Sequence, residues 1–145
     1  MASQTDVPAS ATDAGPERPI RERYEEVKSR IAAAAQRSGR RASDVVLVAV
    51  TKTASMDQIR EVIGLGQVDL GENRVQQLQQ RVVQIDEFLS RRRDLAPAGA
   101  SKLPSQVRWH MIGSLQRNKI KKAIELVRLI HSVDNLRLAE DLQIA

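Results

Sequence analysis

Six consecutive apolar residues over positions 45–50 place the strongest constraint on how this chain folds. The run is mostly β-branched and does not alternate with polar residues, which is typical of a parallel strand covered on both faces. Three further strand-like segments follow at residues 68–71, 107–112 and 129–133. Between these segments the apolar residues recur at helical spacing. The sequence therefore predicts four strands that alternate with helices.

The predicted helices explain how these strands are connected. They are predicted over residues 19–38, from Ser55, over residues 73–91, after Gly113, and from Asp134 or Asn135 to the end of the sequence. Ser55 and Gln58 have the spacing of a capping box. Crossovers of this length join parallel strands in a right-handed sense, with the helices outside the sheet. The fold class is therefore α/β.

Four strand-helix units are compatible with two architectures. They are half of an eightfold TIM-type (β/α)8 barrel, or the whole of a small open α/β sheet, and the periodicity does not separate the two. Both alternatives place the chemistry at the carboxyl ends of the strands, where the strand-to-helix loops gather.

The 145 residues divide into a predicted tail and one domain. Residues 1–17 are rich in Ala, Ser, Thr, Asp and Pro and predict a disordered tail, whereas residues 18–145 form the domain. The longest apolar run has six residues, against about 20 for a membrane-spanning helix, so we expect no membrane segment. The absence of cysteine excludes disulfides, thiolate metal sites and a cysteine nucleophile, and it is compatible with a cytoplasmic location.

The net charge of +5 raises the question of a polyanionic partner. Four lysines and three arginines oppose one glutamate over residues 102–128, so this stretch carries the whole excess. One reading is a basic nucleic-acid-binding module that uses Arg117, Lys119, Lys121 and Lys122. The other is a solvated helix face with surface loops, which we favour because no binding motif accompanies the charge. We therefore expect no nucleic-acid partner.

Lys52 is the most informative residue at a predicted strand end. It follows the apolar run, where its ammonium group is expected to be poorly solvated, which lowers the pKa of the amine. An uncharged amine can attack an aldehyde and form a Schiff base. The alternative is that Lys52 extends from the strand end to water without a chemical role.

Three further residues at strand ends have structural and functional readings. Asn73 is placed to cap the third helix, and a cap can also face a ligand. Glu72 is expected to be a solvated carboxylate near the positive end of that helix. His110 lies within the third strand, where a hydrogen-bonded core histidine is the main alternative to a ligand-binding one. No partner at metal-ligand spacing accompanies His110, so no metal site is predicted.

Four motifs follow one another along the chain: LVAVTKT at residues 47–53, GENRVQ at 71–76, WHMIGSLQRNK at 109–119 and IHSVD at 130–134. In this order they resemble the signatures of the pyridoxal phosphate homeostasis protein family. The family has a single barrel similar to the N-terminal domain of alanine racemase, without the second domain. The resemblance implies that this chain is the N-terminal half of such a barrel, because the family continues through about four more strand-helix units that carry its phosphate-binding cup. We expect a fragment rather than a chain completed by a partner.

The resemblance also assigns the cofactor and its contacts. It implies that pyridoxal 5′-phosphate (PLP) binds covalently through a Schiff base on Lys52, that Asn73 lies near the phenolic oxygen of PLP, and that His110 lines the cavity. The family is taken to carry or buffer PLP in vitamin B6 homeostasis without a known turnover reaction. The expected role is therefore PLP binding rather than catalysis, with PLP-dependent apoenzymes as possible recipients.

A PLP-dependent racemase-type enzyme is the alternative from another class. Racemisation requires a second acid or base on the opposite face of the cofactor. Nothing in this sequence supplies one.

Overall fold

The computed structural model describes residues 18–97 and 102–145. The strands are β1 (Ala49–Val50), β2 (Asp69–Glu72), β3 (Arg108–Met111) and β4 (Leu129–Ile130). The helices are α1 (Ile20–Arg37), α2 (Met56–Gly64), α3 (Val75–Leu95), α4 (Ile120–Ile124) and α5 (Leu136–Ile144), with 3-10 turns at Ala42–Asp44 and Arg117–Lys119. The predicted tail over residues 1–17 lies outside the described residues.

The four strands form one parallel sheet in the order β1-β2-β3-β4. In the central pair, Leu70 lies opposite Trp109 and Gly71 lies opposite His110. An open doubly wound sheet reverses its strand order and carries helices on both faces, whereas a barrel adds each strand beside the preceding one. The observed order has no reversal, so the sheet is a partial barrel of the predicted α/β class.

Side chains alternate across the sheet, and one face holds the core. Leu70 and Trp109 pack against α2 and α3 in a cluster completed by Ile59, Ile63, Leu78, Ile85 and Leu89. Met111, on the same face as Trp109, packs against α4 and α5 in a second cluster with Val75, Leu115, Ile120, Ala123 and Leu138. Both clusters lie between the sheet and its helices, as expected for one side of a (β/α) barrel.

The prediction that residues 45–50 form a strand covered on both faces is wrong for the described chain. Only Ala49–Val50 pairs as a strand, and its single neighbour is β2. Val46 is 62% exposed and Val50 is 51% exposed. The reason is that β1 is an edge strand, and the helices cover only the face to which Ala49 belongs. The same applies at the opposite edge, where Leu129 is 50% exposed.

The helix termini confirm two predicted caps and correct a third. The Ser55 side chain accepts from the Gln58 N–H and the Gln58 side chain accepts from the Ser55 N–H, which is the predicted capping box. The Asn135 side chain accepts from the Leu138 N–H and caps α5. Asn73 does not cap α3, because the cap position is Arg74, which makes no side-chain cap bond.

No helix in the described parts of the chain is long and apolar enough to cross a membrane.

Gly113 holds the loop after β3 against the loop after β2. A Cβ added at Gly113 would lie 2.8 Å from the Cα of Asn73 and closer still to its carbonyl oxygen. Because the nearest atoms belong to the backbone, a side-chain rotation cannot relieve the clash. The close approach of these two loops therefore requires glycine at this position.

We expect Gly113→Ala to lower the free energy of unfolding by about 1–3 kcal/mol, the usual cost of overpacking. The matched control is Gly64→Ala in α2, where an added Cβ meets nothing within 4 Å. This control should leave stability unchanged or raise it by up to about 1 kcal/mol. Urea denaturation followed by circular dichroism measures both. Equal effects of the two substitutions would contradict the assigned close approach.

Candidate functional site

The carboxyl ends of the four strands meet along one edge of the sheet because the strands are parallel. Lys52 lies two residues beyond β1, Asn73 directly follows β2, and His131 directly follows β4. His110 lies within β3, opposite Leu129 of β4. The topology thus brings three predicted residues, Lys52, Asn73 and His110, to neighbouring strands and adds His131.

Lys52 is exposed, in contrast to the poorly solvated position expected from the sequence. The correction has the same cause as that of the apolar run, since β1 is covered on only one face. The preceding residue, Thr51, is buried, and its N–H donates to the Gly71 carbonyl at 2.9 Å. Within the described part of the chain no carboxylate forms an ion pair with Lys52. Its amine is therefore accessible to a ligand.

Glu72 is fully buried, so the expectation of a solvated carboxylate is wrong. It shares the helix-facing side of β2 with Leu70. The Thr51 hydroxyl donates to its Oε1 at 2.5 Å, and the Nε of Arg81 lies 3.8 Å from the same oxygen. A buried carboxylate needs such partners to offset the loss of hydration. Glu72 therefore links β2 to the loop after β1 and to α3 at the carboxyl edge.

Asn73 is half-buried, and its backbone is packed by Gly113. Across the described ranges no group hydrogen-bonds to its side-chain amide, which leaves that amide available to a ligand. A cavity of about 440 Å³ lies beside it and is also lined by Ser114, Gln116 and Lys119. The surroundings of Asn73 thus offer amide, hydroxyl and ammonium groups to an oxygen-rich ligand.

His110 is buried and has both ring nitrogens engaged. Its Nε2 lies 2.8 Å from Oδ1 of Asp69, and its Nδ1 lies 2.9 Å from Nε2 of His131. Asp69 also accepts from Arg108, with Nε donating to Oδ1 at 2.8 Å and Nη2 to Oδ2 at 2.5 Å. The imidazole is therefore fixed in orientation. His131 is exposed, and the Arg108 side chain is 41% exposed.

The sequence assigns no role to Asp69, Arg108 or His131, although His131 lies in the IHSVD motif at residues 130–134. Asp69 lies 39 residues from Arg108 and 41 from His110, so local periodicity contains no signal for the cluster. Arg108 is the largest cause of a lowered pKa for the Asp69 carboxyl, burial opposes it, and the hydrogen bond from His110 adds to the lowering. The carboxylate therefore remains ionised and orients the His110 ring.

Arg117, in the basic stretch over residues 102–128, contacts an acidic residue of α5. Arg117 donates to the carboxylate of Asp141 in α5 through Nε and, at 3.1 Å, through Nη2. This bidentate contact lowers the pKa of the Asp141 carboxyl. Arg117 therefore joins α5 to the turn before α4, and its charge is partly compensated without a nucleic acid.

Comparison with characterised sequences decides the relationship that the motifs indicate. No family model matches the chain. The pyridoxal phosphate homeostasis protein of Pseudomonas aeruginosa is 37% identical over 123 residues, which are 85% of this chain and 46% of that protein. The protein of the same name from Escherichia coli is 36% identical over 114 residues, which are 79% of this chain and 43% of that protein.

The chain is a relative of the pyridoxal phosphate homeostasis proteins. It spans less than half the length of the curated relatives it matches. Those relatives are named as homeostasis proteins and not as enzymes.

Solved structures agree with this relationship. A protein of Bifidobacterium adolescentis described as unknown has a TM-score of 0.67 at 34% identity, covering 86% of this chain and 48% of that one. PipY of Synechococcus elongatus, solved with PLP bound, has a TM-score of 0.58 at 32% identity, covering 87% of this chain and 47% of that one. The partial barrel is thus shared with a protein that binds PLP.

The lowered pKa of Asp69 predicts a specific loss of stability in acid. Its carboxylate form stabilises the fold above the ordinary aspartate pKa of 3.8, and this contribution is lost as the pH falls through the lower pKa of the folded state. Asp69→Asn should therefore flatten the fall in the free energy of unfolding below about pH 4. At neutral pH the same substitution should cost about 1–3 kcal/mol, because it weakens the bonds from Arg108 and His110.

The matched control for this prediction is Asp57→Asn. Asp57 is an exposed carboxylate whose partner is Arg60 on the same helix, at 3.2 Å. This control should change stability by less than about 0.5 kcal/mol and leave the pH profile unaltered. Urea unfolding between pH 2.5 and 7 measures both variants. Parallel profiles for Asp69→Asn and the unsubstituted chain would contradict the assignment.

Proposed function

We propose that this chain binds PLP through Lys52 and serves intracellular PLP homeostasis. The observation that carries the proposal is the placement of Lys52, an exposed amine that follows the first strand at the carboxyl edge of a partial barrel. Ligands of parallel α/β folds bind at this edge. The relationship to homeostasis proteins and to a PLP-bound barrel supports the same conclusion.

The groups present fit such a cofactor. PLP supplies an aldehyde that condenses with an amine, forming a carbon–nitrogen double bond with release of water, and Lys52 offers that amine. Asn73 has an uncommitted amide that can hydrogen-bond to the phenolic oxygen. We further propose that His110 lines the same region, where its ring is held by Asp69 and His131.

In this proposal each residue has a distinct task. Lys52 binds covalently, and its exposure leaves the amine accessible to the aldehyde. Asn73 orients the ring of the ligand, and Gly113 keeps Asn73 in place by its close backbone contact. His110 lines the site without bonding to the ligand through its ring nitrogens, since both already have partners.

The proposed role is that of a carrier and not of an enzyme. The names of the relatives favour this reading. A carrier in the cytoplasm would release PLP to PLP-dependent apoenzymes, and the reversibility of the bond to Lys52 makes such a transfer chemically possible. Racemase-type activity is the outcome that would replace this proposal, and an assay for amino-acid racemisation detects it.

Lys52→Arg is the decisive substitution, because guanidinium keeps the charge but does not form the adduct. We expect PLP followed by borohydride reduction to label the peptide containing Lys52, and the label to disappear in Lys52→Arg. Peptide mass mapping locates the label. The melting temperature should be unchanged because the Lys52 side chain is exposed.

The control for this prediction is Lys119→Arg, which changes another lysine beside the carboxyl edge. It should retain the label on Lys52. A reduced adduct that maps to Lys119 or Lys122 in the unsubstituted chain would refute the assignment of Lys52.

A further inference from the structure

The loop that carries Lys52 is held by side chains of α3. We propose that Gln77 and Arg81, named here the α3 clamp, are positioning residues that fix the backbone of Lys52 for reaction with an aldehyde ligand. This inference rests on the proposed function, since it deepens the role of Lys52.

Gln77 contacts the backbone of Lys52 directly. Its side-chain Nε2 donates to the Lys52 carbonyl oxygen at 2.8 Å. The two residues are 25 positions apart in the chain. Gln77 therefore restrains the peptide group that follows the Lys52 Cα, from which the reactive side chain extends.

Arg81 holds the same loop two residues further on. It lies one helical turn after Gln77, so both side chains leave the same face of α3. Its Nη2 donates to the Ala54 carbonyl oxygen at 2.6 Å, and its side chain is only 14% exposed. The carbonyl groups of Lys52 and Ala54 are thus both bound by one helix.

A buried ion pair anchors the clamp to the sheet. The Nε of Arg81 lies 3.8 Å from Oε1 of Glu72, and the same oxygen accepts from the Thr51 hydroxyl at 2.5 Å. The side-chain contacts run from Thr51 through Glu72 and Arg81 to Ala54, and the backbone from Thr51 to Ala54 closes the circuit. Lys52 lies in this backbone segment. A rigid circuit around a reactive residue lowers the entropy that must be lost when that residue reacts.

The circuit predicts that the loss of one clamp bond slows the reaction without unfolding the protein. Gln77→Ala removes the donor to Lys52, and the freed carbonyl can turn to water because Gln77 is only half-buried. We expect the rate constant for formation of the reducible Lys52 adduct with PLP to fall about 3- to 10-fold, corresponding to one hydrogen bond. The melting temperature should remain the same.

The helix offers a matched control in Gln80→Ala. Gln80 is exposed on α3, and its side chain makes no hydrogen bond to any residue in the described ranges. The Gln80→Ala variant should form the Lys52 adduct at the rate of the unsubstituted chain. Gln77→Glu keeps the shape but removes the donor and should be as slow as Gln77→Ala, whereas Gln77→Arg restores a donor without adding a reactive amine and should recover the rate.

Arg81 requires a double substitution. Arg81→Met alone would leave Glu72 buried and uncompensated, because its Oε2 already lacks a hydrogen-bond partner among the described residues. Arg81→Met is therefore combined with Glu72→Gln. This pair should also slow adduct formation, and amide hydrogen exchange over residues 52–54 should become faster.

Two measurements separate failure of the clamp from failure of the proposed function. If the unsubstituted chain forms an adduct on Lys52 but Gln77→Ala matches Gln80→Ala in rate and in hydrogen exchange, the clamp is refuted and the proposed function stands. If the unsubstituted chain forms no adduct on Lys52, the proposed function and the positioning role are both refuted. A slow Gln77→Ala with faster exchange and an unchanged melting temperature supports the clamp.

Discussion

The parallel pairing of β2 with β3 is the contact on which the rest of the structure depends. It aligns four residues on each strand, whereas the pairings at both edges align two. On one face it places Leu70 beside Trp109 beneath α2 and α3. On the other face it brings Asp69 against Arg108 and His110. The hydrophobic core and the fixed histidine therefore follow from the same register.

Buried charge in this molecule occurs where elements must be held together. Glu72 is removed from water but contacts Thr51 and Arg81, which belong to the loop after β1 and to α3. Asp69 is likewise buried and is bound by Arg108 and His110. Such groups cost hydration energy, and they are tolerated because their partners are supplied in a defined geometry. Glu72 thereby ties the loop after β1 to α3 at the carboxyl edge, whereas Asp69 ties the start of β2 to β3.

The sequence predicted those features of the fold whose signals are local. Three such features are observed: the alternation of strands and helices, the Ser55–Gln58 capping box and the Asn135 cap. The signal for each element or cap lies in neighbouring residues. One local prediction is wrong, the Asn73 cap of α3, because the cap position is the next residue, Arg74. The other wrong predictions concern the surroundings of a residue. The cover of residues 45–50 and the solvation of Glu72 depend on which elements pack against them. That information is spread over distant parts of the chain.

Lys52 illustrates what the sequence by itself determined. Its place after an apolar strand and within a family-like motif is a property of consecutive residues, and this made it a candidate without coordinates. Only the tertiary structure showed that Lys52 is exposed, that His110 is bound between Asp69 and His131, and that Gln77 reaches the Lys52 carbonyl across 25 residues. These contacts depend on strand register and on the angle at which α3 packs. Glutamines and arginines along a helix have the same pattern whether they bind a distant backbone or water, so the sequence could not distinguish the two.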